Sequence, residues 1–146
     1  MSIERYQVSL KVILRDEMGR VLALNGRVGG MYEGHYDIPG GRIDESEFSI
    51  PFAEILRREV TEELGPDIQF TVHDTPVALG RHRSREGFCV LYVYFEGEIE
   101  KTDVAVNISK EHAGWAWLDL SKQPLEKLFT SGILEGMKQW YTARHK

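Results

Sequence analysis

A single helical segment lies between strand-like segments on both of its sides, and this order limits the fold before any motif is considered. The helical segment covers about residues 50–64. Before it, apolar and polar residues alternate over residues 6–14, which is typical of a strand with one buried face. After it, an apolar and aromatic run over residues 88–95 is typical of a strand inside a sheet. Strands on both sides of one helix predict a mixed sheet that helices cover.

The remaining segments fit the same plan. Residues 21–24, 68–79 and 115–120 predict three further strands. Near the C-terminus, apolar residues at helical spacing predict an amphipathic helix, namely Ile133, Leu134, Met137, Trp140 and Tyr141. Residues 26–41 contain six of the 14 glycines and predict a loop that packs against the domain. We expect one α/β domain over residues 1–146, because the length suits a single core and no linker or repeat interrupts it.

The composition excludes several classes of protein. Hydrophobic residues make up 42% of the chain and charged residues 28%, which excludes a disordered or fibrous protein. No apolar run approaches the roughly 18 residues that a membrane helix needs, and residues 1–5 lack the apolar core of a secretory signal. The net charge of −5 argues against bulk nucleic-acid or membrane binding. Cys89 is the one cysteine, so no internal disulfide forms, and we expect a reducing, cytoplasmic location.

The negative charge is concentrated in one stretch. Residues 44–63 contain seven acidic and two basic side chains, so this stretch carries the whole net charge of −5. Glu59, Glu62 and Glu63 stand at the end of the predicted helix, on the face that carries its apolar residues. Carboxylates there oppose the negative end of the helix dipole and repel one another across one turn. The helix therefore violates local rules, as functional sites often do.

Two interpretations of this cluster are available. It is either a solvated acidic helix end or a site at which a divalent cation turns repulsion into coordination. The inward register and the conflict with the helix dipole favour the second. Carboxylate ligands favour hard ions, Mg²⁺ first and Mn²⁺ as a substitute. Zinc is disfavoured because the five histidines include no pair at zinc-ligand spacing.

Two motifs around the cluster match a known pattern. Gly40-Gly41-Arg42 is followed by REVTEELG over residues 58–65, and residues 36–41 read aromatic-x-x-Pro-Gly-Gly. Together they resemble the Nudix box, whose pattern is G-x5-E-x7-R-E-U-x-E-E-x-G-U, with U an aliphatic residue. REVTEELG fits the pattern from its arginine to its last glycine at all fixed positions, but the final aliphatic position holds Pro66.

The match departs from the pattern in its first half. The position eight residues before Arg58 holds isoleucine where the pattern expects glutamate. Glu47 stands at the expected distance after Gly41, so we place a three-residue insertion around residues 48–50. Because of the insertion, Glu45 is an alternative to Glu47 for the position of the first glutamate in the pattern. The metal-binding half of the motif is intact.

The resemblance implies a fold and a chemistry. It implies a Nudix-like α/β/α sandwich, with a mixed β-sheet between helices, that hydrolyses a pyrophosphate bond in a nucleoside diphosphate linked to another group. Nucleoside triphosphates, nucleotide sugars and ADP-ribose belong to this substrate class. The implied metal ligands are Glu59, Glu62, Glu63 and the carbonyl group of Gly41, with Arg58 orienting the glutamates. A glutamate of the cluster, Glu62 or Glu63, is the natural candidate to take a proton from water that the Mg²⁺ ions activate.

Further candidate residues lie outside the helix. Glu111 precedes a predicted strand, where several Nudix subfamilies place an additional base or ligand. Arg81 and Arg83 belong to a basic segment that we expect to form a loop and to hold substrate phosphate. Arg42, which follows the glycine pair, and Glu47 complete the predicted substrate-binding residues. Each of these residues has an alternative interpretation without a function, as a solvated loop residue or as part of a surface ion pair.

Two other functions stay open. A non-catalytic Nudix-like module that binds a nucleotide is one alternative, although the three box glutamates argue against it. An isopentenyl-type diphosphate isomerase is another, but it requires a catalytic cysteine, and Cys89 in an apolar strand is unsuited to that role. A homodimer is compatible with the sequence, and selectivity depends on the predicted loops at residues 26–36 and 80–87.

Overall fold

One mixed sheet with helices on both faces forms the molecule. The computed structural model describes residues 1–26, 28–100 and 114–146. Within these ranges the strands are β1 (Tyr6–Arg15), β2 (Val21–Asn25), β3 (Tyr36–Asp37), β4 (Gly40–Arg42), β5 (Phe70–Val72), β6 (Ala78–Arg83), β7 (Cys89–Ile99) and β8 (Trp115–Leu118). The helices are α1 (Phe52–Leu64), α2 (Leu125–Leu128) and α3 (Ser131–Arg144), and a short 3₁₀ turn covers Glu45–Glu47.

The two longest strands, β1 and β7, form the centre of the sheet. They pair in parallel from Tyr6 opposite Cys89 to Arg15 opposite Glu98. All other pairs of strands in the described residues are antiparallel. The order along the sheet is β3-β2-β1-β7-β5, with β4 paired to β1, β6 to β7 and β8 to β2. Parallel strands need a long crossover connection, and α1 lies in the segment that joins β1 to β7.

Helices cover both faces of the central strands. Neighbouring residues of a strand point to opposite faces, and Val12 and Ile13 of β1 accordingly belong to different apolar clusters. The cluster that contains Val12 includes the buried residues of α1, among them Val60. The cluster that contains Ile13 includes those of α3, among them Met137. The predicted mixed sheet between helices is thereby confirmed.

Several predicted boundaries were wrong. The helix α1 begins at Phe52 rather than at residue 50, and no side chain caps its N-terminus. Residues 68–79 form two strands rather than one, because β5 ends at Val72 and β6 begins at Ala78. The glycine-rich stretch 26–41 also contains β3 and the first residues of β4, which the glycine content concealed.

The basic segment was also misassigned to a loop. Arg81 and Arg83 lie in β6, opposite Leu91 and Cys89 of β7. The turn between these two strands comes later, where Gly87 adopts a φ of 91°. Arginine at alternate positions of an edge strand gives the same local signal as arginine in a solvated loop, and only the pairing with β7 distinguishes them.

Strand β1 is buried on both faces, in contrast to the predicted single face. Ser9 and Lys11, which the alternation pattern places toward solvent, are buried together with their apolar neighbours. On this second face, Ile13 belongs to the apolar cluster that includes α3, and Ser9 and Lys11 line a cavity described below. In the described ranges, no helix is both long enough and apolar enough to cross a membrane.

Glycine allows α3 to lie directly on the sheet. A Cβ atom at Gly136 would lie 2.0 Å from Cε2 of Tyr94. Tyr94 is fully buried, and its hydroxyl donates a hydrogen bond of 2.9 Å to the carbonyl group of Gly132. The tyrosine ring therefore cannot move aside without breaking a buried contact.

We predict that Gly136→Ala destabilises the fold although alanine favours helix. The clash with Tyr94 costs about 1–3 kcal/mol of unfolding free energy, which exceeds the gain of about 1 kcal/mol in helix propensity. Urea unfolding measures the difference. Thr142→Ala at an exposed position of the same helix is the control and should be neutral or stabilising. A Gly136→Ala protein as stable as the wild type would contradict this packing.

A buried carboxylate ties α3 to the two central strands. Glu96 of β7 accepts hydrogen bonds from the indole of Trp140 and, at 3.0 Å, from Arg144, and lies 3.9 Å from Arg15 of β1. Its side chain is only 13% exposed. Burial by itself raises the pKa of Glu96, but the hydrogen bond from Trp140 and the two arginines hold it below its ordinary value.

We therefore expect the contribution of Glu96 to stability to depend on pH. Its folded pKa lies below the unfolded one, so the stabilisation is fully present above about pH 4.3 and is lost as the pH falls through the folded pKa. Glu96→Gln should lower the unfolding free energy at pH 7 by about 1.5–3 kcal/mol and by much less at pH 3. Glu126→Gln, which removes an exposed pair with Lys138, is the control with a small effect. An equal loss at both pH values would refute the assignment.

Candidate active site

A cavity of about 660 Å³ opens beside β4 and the last turns of α1. Two groups of residues line it. The first consists of the carboxylates of α1 and the backbone of β4, namely Gly40, Gly41, Arg42, Glu59, Glu62 and Glu63. The second consists of polar and aromatic residues of the sheet and of the loop before β3, among them Ser9, Lys11, Met31, Tyr32, Asp37 and Tyr92. The two groups adjoin, because strand pairing places Ser9 opposite Arg42 and Lys11 opposite Gly40. The volume is typical of a small-molecule site.

The glycine pair brings the backbone of β4 against the end of α1. The amide of Gly40 donates a hydrogen bond of 2.7 Å to Oε1 of Glu63. A Cβ atom at Gly41 would lie 2.2 Å from Oε2 of Glu59. Pairing of β4 with β1 fixes Gly41 opposite Leu10, so the strand cannot move away from the helix. The backbone of β4 and two carboxylates therefore converge at one end of the cavity.

Arg58 forms ion pairs with three acidic side chains around the end of α1. Its guanidinium group donates to Oε2 of Glu47 at 2.7 and 3.2 Å, to Oε1 of Glu59 at 3.0 Å and to Oε1 of Glu62 at 3.0 Å. A single arginine thus offsets the repulsion that the sequence predicts at the end of α1. It also holds the turn that contains Glu47 against the helix.

The three glutamates of the helix differ in their surroundings. Glu63 is buried, the side chain of Glu59 is 17% exposed and that of Glu62 is 60% exposed. The expectation that all three avoid solvent is therefore wrong for Glu62. Glu62 still lines the cavity, and its exposed carboxylate is paired with Arg58 at 3.0 Å.

The ionisation of the cluster follows from burial and from Arg58. Burial raises the pKa of Glu59 above its ordinary value, although Arg58 opposes the shift. The backbone amide of Asp44 and the guanidinium of Arg58 lower the pKa of Glu47. Hydrogen bonds to the carboxylates, above all to Glu47, raise the pKa of Arg58. The arginine is thus a permanent cation among the acidic groups.

The donor set fits a hard divalent cation, although its side chains are not yet arranged around one. Within the described residues, no three acidic, histidine or cysteine side chains lie at the spacing of a metal shell. Glu59 and Glu62 point to Arg58, and Glu63 points to the amide of Gly40. Carboxylate oxygens and a closely approaching glycine backbone are ligands that Mg²⁺ and Mn²⁺ accept. A rotation of the glutamate side chains is the change that a cation would require.

The other predicted residues lie in different places. Arg42 lines the cavity and stacks on the ring of Phe88 at 5.0 Å. Arg81 and Arg83 do not line it, and their side chains face Glu135 at 3.7 Å and Glu4 at 3.5 Å. Glu111 lies outside the described residues. Cys89 is buried in β7 and does not line the cavity.

The sequence analysis missed Lys11, Asp37 and Tyr92, which also line the cavity. Lys11 donates a hydrogen bond of 3.0 Å to Oδ1 of Asp37, and both are buried. The hydroxyl groups of Tyr32 and Tyr92 are hydrogen-bonded to each other. A lysine that alternates with apolar residues along a strand is typical of a residue that faces solvent. The sequence feature that indicates burial of Lys11 is the long apolar run at residues 88–95. A strand that pairs with such a run lies inside the sheet and is covered on both faces.

Comparisons with known proteins give a family and a fold. The sequence model of the NUDIX domain matches residues 5–138. No curated protein shows significant similarity to the chain.

Solved structures share the fold. The MutT protein of Methanosarcina mazei Go1 has a TM-score of 0.77 and 21% identity, with both chains covered fully. An ADP-ribose pyrophosphatase of Streptococcus suis 89-1591 has a TM-score of 0.65 and 15% identity, over 97% of this chain and 94% of the other. An Ap4A hydrolase of C. elegans has a TM-score of 0.66 and 18% identity, over 94% and 93%.

We predict that Gly41→Ala weakens divalent-cation binding while the fold stays stable. The added Cβ atom meets the flexible end of Glu59, so the carboxylate moves and the backbone does not. We expect the affinity for Mn²⁺, followed by water-proton relaxation or calorimetry, to fall at least about tenfold. Gly114→Ala is the control, because a Cβ atom there has ordinary contacts of 3.6 Å. Unchanged Mn²⁺ affinity in Gly41→Ala would contradict the placement of the cation.

Proposed function

This chain belongs to the Nudix hydrolase family, and from that membership we propose that it hydrolyses a pyrophosphate bond in a nucleoside diphosphate linked to another group. The observation that carries the proposal is the convergence of Glu59, Glu62 and Glu63 with the Gly40-Gly41 backbone at one end of a cavity. An anionic diphosphate resists attack by water unless cations neutralise its oxygens. The acidic end of the cavity is suited to hold those cations.

We assign roles to the residues of this end. Gly41, Glu59, Glu62 and Glu63 would hold Mg²⁺, or Mn²⁺ in its place, and Arg58 keeps the carboxylates in position. The bound cation supplies charge neutralisation and a water of lowered pKa. Glu62 or Glu63 takes the proton of the attacking water, and Arg42 lies in the cavity where a phosphate oxygen of the substrate can reach it.

The other predicted residues have different places in the proposal. Glu47 acts through Arg58, because its carboxylate faces the guanidinium group. Arg81 and Arg83 are left out of the substrate site, since the structure places them outside the cavity. Glu111 remains a predicted additional base or ligand.

The substrate class is proposed at the level of its shared chemistry. The neighbours in structure include proteins named for ADP-ribose and for Ap4A, and both molecules contain a nucleoside joined through phosphoanhydride bonds. Purified protein with Mg²⁺ and a panel of nucleoside triphosphates, ADP-ribose, nucleotide sugars and dinucleoside polyphosphates tests the proposal. We expect a phosphate-containing product from at least one of them. No product from any of them, with Mg²⁺ or Mn²⁺, would leave a non-catalytic nucleotide-binding module as the better reading.

Three expectations about the whole chain are also proposals. They are that residues 1–146 act as one domain, that the protein is cytoplasmic, and that the chain is compatible with a homodimer. Light scattering measures the oligomeric state, and limited proteolysis measures whether the chain resists cleavage as a single unit.

We predict that Glu62→Gln and Glu63→Gln each lower kcat at least about a hundredfold while the protein remains folded. Glutamine keeps the shape of the side chain and an oxygen acceptor for the amide of Gly40, but it lacks the negative charge that a cation requires. Glu54→Gln, at an exposed position in the first turn of the same helix, is the control and should be fully active. Full activity in both site variants would refute the assignment.

A further inference from the structure

A buried hydroxyl group in the cavity has no partner within the described part of the protein. Ser9 of β1 is 3% exposed and lines the cavity. Its hydroxyl group makes no hydrogen bond to any group of residues 1–26, 28–100 and 114–146. Because almost all buried polar side chains are hydrogen-bonded, an unpaired one needs an explanation. The position of Ser9 in the cavity wall makes a bound ligand the partner to consider.

Strand pairing places an arginine beside this hydroxyl group. Ser9 is directly opposite Arg42 of β4. Side chains at opposite positions lie on the same face of a sheet, with Cβ atoms about 5 Å apart. The guanidinium group of Arg42 lies 5.0 Å from the centre of the Phe88 ring, and no carboxylate of the described residues is paired with it. Two hydrogen-bond donors without an acceptor in the described ranges are therefore neighbours in the cavity.

The chemistry of these two donors favours an anionic oxygen. The nearby ammonium group of Lys11 lies 3.0 Å from Oδ1 of Asp37, so it already has a carboxylate partner, whereas Arg42 has none among the residues that the structure describes. A guanidinium group binds phosphate oxygens with several donors at once, and a hydroxyl group adds one more. A neutral hydroxyl or carbonyl group would satisfy Ser9 but would leave the charge of Arg42 unpaired. A phosphate oxygen satisfies both.

The distance along β4 suits a diphosphate. The amide of Gly40 is hydrogen-bonded to Glu63, one of the proposed cation ligands. Gly40 and Arg42 are two residues apart in the same strand, a step of about 6.8 Å. A diphosphate that is bound to a cation beside Glu63 through one phosphoryl group therefore reaches Ser9 and Arg42 with the other.

We propose that Ser9 is a substrate-binding residue that donates a hydrogen bond to a phosphate oxygen held by Arg42. The inference rests on the proposed function, since the group that Ser9 binds is the second phosphoryl group of the diphosphate. It assigns to Ser9 a role in affinity rather than in stability. The backbone of β1 fixes Ser9 before the ligand arrives, which lowers the entropy cost of binding.

Removal of the hydroxyl group tests this role. Ser9→Ala deletes one hydrogen bond to a charged acceptor, and we expect it to raise the dissociation constant of methylenediphosphonate at least about tenfold. In this compound carbon replaces the bridging oxygen of a diphosphate, so it is not hydrolysed, and it contains neither sugar nor base. Calorimetry with Mg²⁺ present gives the dissociation constant. The unfolding temperature of Ser9→Ala should be unchanged, because no group in the described part of the chain loses a partner.

Tyr94→Phe is the matched control. It also removes one buried hydroxyl group, but this hydroxyl group donates to the carbonyl group of Gly132, and Tyr94 does not line the cavity. We expect Tyr94→Phe to lower the unfolding temperature and to leave the dissociation constant unchanged, because a buried acceptor loses its donor. Lower affinity at unchanged stability in Ser9→Ala supports the proposal, and any other result for that variant overturns it.

Binding and turnover together distinguish failure of this inference from failure of the proposed function. If no nucleotide is hydrolysed, the proposed function fails, but an affinity for methylenediphosphonate that depends on Ser9 still supports the phosphate site. If a nucleotide is hydrolysed, Ser9→Ala should raise its KM at least about tenfold with a much smaller change in kcat, since the hydroxyl group binds substrate and transition state alike. A wild-type protein that does not bind methylenediphosphonate overturns the inference. So does a Ser9→Ala protein that loses affinity for the nucleotide alone, because a sugar or base would then be the partner of Ser9.

Discussion

The parallel pairing of β1 with β7 is the constraint on which the rest of the molecule depends. It runs from Tyr6 and Cys89 to Arg15 and Glu98, and the two strands have to be joined by a long connection. The connection contains α1, which covers one face of the sheet, while α3 covers the other. Because both faces are covered, every buried side chain of the central strands has to be apolar, paired or directed into a cavity. Glu96 is an example of a paired group, since it meets Trp140 and Arg144.

Unfavourable electrostatic interactions are concentrated at the end of α1, beside the cavity. Three carboxylates stand there against the helix dipole, and the protein compensates with the guanidinium of Arg58 and the amide of Gly40. Both compensations come from groups that a bound cation would partly replace. The carboxylates are thus paired within the protein, and their oxygens are ligands that a hard divalent cation accepts.

Some features of this site were predictable from the sequence, and others were not. The acidic cluster and its glycine partner are encoded within about one helical turn and one short motif, so local spacing was sufficient to find them. Arg81 and Arg83 gave a basic local signal, but their position depends on pairing with β7, which the sequence does not state. Lys11 and Asp37 are 26 positions apart and come together because β4, which begins three residues after Asp37, pairs with β1 and places Gly40 opposite Lys11. Neither carries a local signal of burial.

The sequence by itself determined the class of fold, the family motif and the identity of the carboxylates, since periodicity and short-range spacing carry that information. The tertiary structure decided which faces are buried. It covered the second face of β1, turned Glu62 outward and Glu63 inward, and placed the paired ammonium group of Lys11 in the same cavity as the carboxylates. The physical reason is that burial belongs to the assembled layers. The alternation of apolar and polar residues in a strand is visible in its local sequence. Whether its polar face meets water, a helix or a ligand depends on elements far away in the chain.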